Sequence, residues 1–246
     1  MLWVYLSPHF DDVALSCGGL IWEQVQAGDT VSIWTVCAGA PTAGDFSPFA
    51  LELHSRWETG PKATAKRKQE DLRSCRHLGA RRHYFNLLDC IYRRHPETGE
   101  FLYASEAALN GSLHPGDNKT ISALQADLER SIKANMNVVC PLAIGNHVDH
   151  QLTRIALERM GYPAWYYPDY PYVEHHPARV KKMKQEGWVS RLFPVSRHGL
   201  FAWQDSIAAH GSQISTFWSN EDEMRQAVET YWGRQHAIRL WRMPEA

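Results

Sequence analysis

Two short polar stretches carry most of the chemistry open to this chain: His9-x-Asp11-Asp12 near its start and His147-x-Asp149-His150 past its middle. Together they offer two or three histidines and up to three carboxylates. Two histidines and one carboxylate, with a position left open for water, are the ligand set of a catalytic zinc. A carboxylate left over can act as general base toward that water. Either string alone is weak, because such strings arise by chance and a turn aspartate is commonly just a helix N-cap. Position strengthens the pair. Each follows an apolar run that reads as a strand, and in an open parallel sheet all such strand ends lie along one ligand-binding edge.

The elements that must position these residues can be read from periodicity. Leu2-Trp3-Val4-Tyr5-Leu6 is a buried first strand, followed by an amphipathic helix to about Ala27. Gly28-Asp29 stops that helix, and Thr30–Cys37 alternates as a second strand. Strand, helix, strand in this order implies a right-handed parallel unit. A long Gly, Pro, Ser and Thr-rich segment, Ala38 to Pro61, shows no period, and long ordered loops are often functional. A helix over Lys62–Leu78 leads to a third strand, Arg82–Leu87, with Asp89 at its far end. Cys90 to Asn118 is a second irregular excursion, with a helical turn near Ser105–Leu109. Thr120–Ala134 is a helix, Asn137–Leu142 a strand, His150–Met160 a helix and Ala164–Pro168 a fifth strand. A turn-prone Asp169–Pro177 follows. Helices at Val180–Gln185, Ala202–His210 and Glu221–Gly233, an extended piece at Trp188–Val195 and a last strand at Ala237–Arg242 complete the expectation. The fold class is α/β: one Rossmann-like domain over 1–246 with a mostly parallel, helix-flanked sheet, least defined beyond about residue 170.

Composition narrows the function. The chain has 246 residues, 26 Lys+Arg against 27 Asp+Glu and a formal net charge of -1, so no basic tract speaks for nucleic acid. Five cysteines without C-x-x-C spacing argue against a disulfide framework and a cysteine zinc site, and the expected compartment is a reducing cytosol. No apolar run approaches membrane-spanning length. Thirteen histidines and ten tryptophans are many. For most of them, surface and packing are the better reading. Trp57, Trp165, Tyr166 and Tyr170 are the aromatics that could line a sugar site.

Around the two polar stretches the chain resembles the LmbE-like (PIG-L) family of zinc-dependent N-deacetylases. Ser7-Pro8-His9-Phe10-Asp11-Asp12-Val13, with Ser16-Cys17-Gly18-Gly19 behind it, is similar to that family's first motif, and His147-Val148-Asp149-His150 to its second. Arg67-Lys68-Gln69-Glu70 with Leu78-Gly79 resembles its R-x-x-E helix, and Tyr166-Tyr167 and Ser212-Gln213 match later elements. Phe10 and Val13 depart from the family's usual Pro and Glu. The resemblance implies one zinc ion per chain, held by His9, Asp12 and His150. It implies Asp11 as general base, His147 as oxyanion stabiliser or proton donor to the departing amine, and Asp149 as a carboxylate orienting a histidine. Arg67 is the substrate-binding candidate, since a guanidinium pairs well with a carboxylate or phosphate. Its plainer reading is a solvated helix arginine paired with Glu70 or Asp71.

The expected activity is hydrolysis of an N-acetyl group on a small-molecule N-acetylated amino sugar or its conjugate. A zinc amidase acting on a thiol or non-sugar conjugate is the alternative within the class. A non-catalytic nucleotide-binding module is disfavoured, because no G-x-G-x-x-G follows the first strand. The oligomeric state, homo-oligomer included, stays open.

Overall fold

The first strand sets the frame. β1 (Leu2–Ser7) sends Trp3 and Tyr5 to one face of the sheet and Val4 and Leu6 to the other. Both faces are covered by helices, which is why the strand is apolar at nearly every position. The computed structural model describes residues 1–42 and 44–244. After β1 come α1 (Asp12–Gln26), β2 (Thr30–Thr35), α2 (Pro48–Arg56), α3 (Ala63–Leu78), β3 (Arg81–Tyr84), α4 (Glu106–Leu109) and α5 (Asn118–Ser131). The second half holds β4 (Asn137–Pro141), α6 (Val148–Glu158), β5 (Trp165–Tyr167), α7 (Tyr172–His175) and α8 (Pro177–Gln185). It ends with β6 (Val189–Pro194), α9 (Arg197–Ala208), α10 (Gly211–Phe217), α11 (Glu221–Gly233) and β7 (Ala237–Arg242).

The seven strands form one sheet in the order β3-β2-β1-β4-β5-β7-β6. The five from β3 to β5 are parallel, and β7 and β6 add an antiparallel edge. The chain first builds outward from β1 through β2 to β3, then crosses back to place β4 on the other side of β1. That reversal opens a crevice beyond the ends of β1 and β4, where open α/β sheets bind ligands.

One face of the sheet packs against α1, α3, α9 and α11, the other against α5 and α6. A third cluster, built from Phe49, Leu53, Ile91, Tyr92, Tyr103, Leu109 and Val148, forms a lobe over the strand ends. Gly18 and Gly19 let α9 lie close on α1. A Cβ at Gly18 would come 2.7 Å from the Trp203 ring, and one at Gly19 2.8 Å from Val195.

Some expectations need correction. The segment Ala38–Pro61 is not irregular throughout: α2 lies within it, its N-terminus capped by Ser47 Oγ accepting from the Ala50 amide at 3.0 Å, with Pro48 in the first turn. The third strand is four residues long rather than six, because the chain past Tyr84 leaves β2 after Phe85 bonds the Thr35 carbonyl. α9 begins at Arg197, capped by Ser196, and α10 is an additional helix.

Candidate metal centre

The turn after β1 is tied by its own side chains. Ser7 Oγ donates to the His9 carbonyl at 2.5 Å and accepts from the Val13 amide at 3.2 Å, while the His9 amide donates to Asp12 Oδ2 at 2.7 Å. Asp11 occupies the N-cap position of α1 yet makes no side-chain capping bond. Its carboxylate instead accepts from Arg67 Nη2 at 2.8 Å. The N-cap reading of this aspartate therefore fails, and its charge is available to the crevice.

The second stretch opens α6. Ahead of it, Ala143, Gly145 and Asn146 all have positive φ, and a Cβ on Gly145 would lie 2.7 Å from Tyr172. His147 caps the helix, its Nδ1 accepting from the Asp149 amide at 3.2 Å. An imidazole nitrogen that accepts a backbone N–H carries no proton, so the neutral ring bears its hydrogen on Nε2. Burial, then the neighbouring His9, push the His147 pKa well below its ordinary value, which keeps the ring neutral.

Both stretches meet in the crevice. One nitrogen each of His9, His147 and His150 lies within 4.8 Å of the others. Asp12 bridges two of them: its Oδ2 is 3.2 Å from His9 Nδ1 and its Oδ1 3.1 Å from His150 Nε2. The outer nitrogens are each backed by a carboxylate. His9 Nε2 faces Asp149 Oδ2 at 3.0 Å, and His150 Nδ1 faces Asp169 Oδ1 at 2.7 Å. Burial opposes charge on both rings, yet the carboxylates outweigh it. Asp12 and Asp89 hold the His9 pKa well above its usual value, and Asp12 and Asp169 raise that of His150 to about 10. Against burial, His150 and His9 together draw the Asp12 pKa well down.

His9, Asp11, Asp12, Asp89, His147 and His150 line a cavity of about 430 Å³. Trp57, Tyr172, Phe217 and Trp218 supply its aromatic walls. Of the other aromatics considered for a sugar site, Trp165 and Tyr166 line a separate groove near β7. Tyr170 is buried against Trp203, Trp218 and Tyr231. Arg67 is neither solvated nor paired with Glu70 or Asp71. It is buried, bonded to Asp11 and 3.5 Å from Asp89, with its guanidinium 5.1 Å from the Trp57 ring. Glu70 has a different partner: it accepts from the Ser212 amide at 3.0 Å and its hydroxyl at 2.6 Å, joining α3 to α10.

A family model described as PIG-L, GlcNAc-PI de-N-acetylase, matches residues 4–160, which includes both polar stretches and the helix between them. The chain belongs to the PIG-L family. Among its relatives is the 2′-N-acetylparomamine deacetylase of Niallia circulans, 29% identical over 264 residues that span 98% of this chain and 93% of the relative. A second, of the same name from Streptomyces fradiae, is 29% identical over 179 residues, 70% of this chain and 58% of the relative. Among solved structures, the zinc-inhibited form of teicoplanin deacetylase Orf2 superimposes over the whole of both chains with a TM-score of 0.79 at 24% identity, a likeness of fold. As a PIG-L member, this protein is a hydrolase of the N-deacetylase type.

PIG-L deacetylases depend on a metal, and the residues of this chain fit one. Around the crevice, six buried carboxylates (Asp11, Asp12, Asp89, Asp117, Asp149 and Asp169) meet two buried guanidinium groups, Arg67 and Arg93, and the two imidazoles with raised pKa values, His9 and His150. That is a surplus of negative charge that burial disfavours unless a cation offsets it. Asp12 with His9 and His150 gives one anionic and two imidazole donors already converging. Cys90 also lies near His147 and Asp149. Burial, then Asp149, hold its thiol protonated, and only a thiolate binds metal well.

Sequence reasoning missed Asp169, Arg93 and Asp117, and noted Asp89 without giving it a role. Asp169 and Asp89 had a signal. Each closely follows a parallel strand, and so shares the edge with the two motifs.

Proposed function

We propose that the protein removes the acetyl group from a small N-acetylated amino sugar or its conjugate, with one divalent metal ion, zinc by donor type, held by His9, Asp12 and His150. The convergence of those three side chains beside the Arg67-held carboxylate of Asp11, in a cavity walled by aromatics, carries the reading. The named relatives are deacetylases, two of them of an N-acetylated compound. The cavity size suits a sugar ring with part of its neighbour, and aromatic walls suit the apolar faces of such rings. The five free, buried cysteines accord with a cytosolic location. Among the described residues, no helix is long and apolar enough to cross a membrane.

The metal, when bound, supplies Lewis acidity: it makes water nucleophilic near neutral pH and polarises the amide carbonyl. The remaining steps belong to the side chains. Asp11 takes the proton of the attacking water, its carboxylate kept in place by Arg67. His147, neutral and protonated on Nε2, donates a hydrogen bond to the oxygen that becomes negative as the carbonyl carbon turns tetrahedral. When the C–N bond breaks, the proton on Asp11 passes to the departing nitrogen, leaving a free amine and acetic acid, whose own proton then moves to the amine to give acetate and an ammonium. Arg67 thus acts on the base rather than standing free for an anionic substrate group.

The experiment is acetate release from a panel of N-acetylated sugars by the zinc-loaded protein, with Asp11→Asn alongside. The variant is expected to keep its metal and lose at least about a hundredfold in rate, the usual contribution of a general base. Undiminished turnover by Asp11→Asn would refute the base assignment, and no acetate from any sugar would refute the substrate class.

A further inference from the structure

Asp149 is held more firmly than a motif aspartate requires. Its Oδ1 accepts from Arg93 Nη1, and its Oδ2 accepts from the Cys90 amide at 3.0 Å while facing His9 Nε2 at the same distance. Arg93 is anchored in turn. Its Nη2 donates to Asp117 Oδ2 at 2.9 Å and its Nη1 to the Leu88 carbonyl at 3.1 Å. The Tyr103 hydroxyl donates to the same oxygen of Asp117 at 2.8 Å, and its ring lies 5.4 Å from the guanidinium. Arg93, Tyr103, Asp117 and Asp149 are all buried, and Arg93 is not among the residues lining the catalytic cavity. Arg93, Tyr103 and Asp117 come from the irregular stretch between β3 and α5.

We propose that Arg93 is a positioning residue of the metal centre: anchored by Asp117, it fixes Asp149 as the acceptor of the His9 Nε2–H, so that the His9 Nδ1 lone pair is left for the metal that Asp12 shares. This rests on the metal-dependent reading above. A carboxylate can only accept, and both His9 nitrogens face one, Nε2 facing Asp149 and Nδ1 facing Asp12; a metal held by His9 and Asp12 would take the Nδ1 lone pair in place of a proton, leaving the hydrogen on Nε2 where Asp149 accepts it. Asp149 can enforce this only while its oxygens keep their orientation. The Cys90 amide alone leaves the carboxylate free to turn about its bond to the chain, whereas a charged bond to the opposite oxygen stops that rotation. Energy points the same way. A buried arginine between two buried carboxylates is a costly way to fill a lobe, since apolar residues of similar volume commonly serve as well. Partners behind metal-bound histidines fix ring orientation, and losing one typically weakens metal binding about 10–100-fold.

The test is Zn²⁺ titration against a competing chelator for the wild-type protein, Arg93→Met, Arg93→Lys and Asp117→Asn. It is joined by ¹⁵N NMR of the histidine rings, which reads the tautomer directly. Arg93→Met is expected to weaken Zn²⁺ binding about 10–100-fold and to lose the Nε2–H form of His9, with Arg93→Lys recovering part of both. A purely structural arginine would leave the tautomer of the folded variants unchanged. Zn²⁺ affinity of Arg93→Met within twofold of wild type would overturn the role. If Arg93→Met does not fold, Asp117→Asn decides: weaker binding supports the role and unchanged binding overturns it. A wild-type protein that binds no Zn²⁺ overturns the metal reading itself, an outcome distinct from wild-type binding with unaltered variants.

Discussion

His9 and His150 face the same aspartate from opposite sides, yet the carboxylates behind them are held by different means. Asp149, behind His9, accepts from the Arg93 guanidinium and a backbone amide. Despite complete burial its pKa lies well below the usual range, because Arg93 and then His9 outweigh the loss of water. Asp169, behind His150, has among the described residues only the Ile144 amide at 2.9 Å besides the imidazole. Burial wins there, and its pKa is raised. The lesson is about origin as well as charge. The His9 side is supported from a separate lobe by Arg93, 56 residues from Asp149 in sequence, while the His150 side is supported by the strand next in order. One limb of the centre depends on long-range folding and the other on the sheet itself.

Breaking the supports should separate the limbs. Asp149→Asn has the largest expected effect. An amide has one accepting oxygen where the carboxylate had two, so it cannot serve Arg93, Cys90 and His9 together, and Arg93 is left buried with Asp117 as its only anion. Loss of one partner from a buried ion pair costs about 3–5 kcal/mol. We expect that loss in urea unfolding of the metal-free protein, with Zn²⁺ binding weakened about 10–100-fold. Asp169→Asn should weaken Zn²⁺ binding about tenfold, since either His150 or the Ile144 amide loses its acceptor. Its unfolding midpoint should move much less, because burial already opposes the charge on Asp169 and His150 keeps Asp12 as its anion. Equal stability losses in the two variants would erase the distinction between the limbs.

Much of this centre was legible in the sequence because it is local. His9, Asp11 and Asp12 follow one strand and His147, Asp149 and His150 another, and parallel pairing alone brings strand ends to one edge. Glu70 and Ser212 were legible only as motif fragments; their contact, at 2.6 Å, is what makes the fragments a unit. Arg93 left no trace, since it lies in a stretch with no period and its partners are chosen by how the lobe folds back over the sheet. The helix α10 was missed for a simpler reason. Seven residues opening with Gly-Ser are too short to display a helical period. Asp169 was within reach of the strand-end rule, and was passed over as part of a turn.

Asp71 extends the comparison to a buried carboxylate without an arginine in hydrogen-bond contact, and it should have the smallest effect on the site. It accepts from the Tyr84 hydroxyl at 2.6 Å and packs against the Cys75 thiol. Burial raises its pKa from 3.8 to about 6, more than the Tyr84 bond lowers it. Between those two values the folded chain binds a proton that the unfolded chain has released. Stability contributed by this group is therefore present below about pH 4 and is lost as the pH climbs to about 6. Asp71→Asn keeps an acceptor for Tyr84 and removes the titration. Measured as urea midpoints from pH 4 to 7, the variant should gain on the wild type as pH rises, by about 1–3 kcal/mol in all, with Zn²⁺ affinity unchanged. A gap that stays flat across this range would mean that the Tyr84 hydroxyl alone stabilises the charged form. In that case a neutral donor would do for Asp71 what Arg93 does for Asp149, and the contrast between the supports of His9 and His150 could not be one of charge.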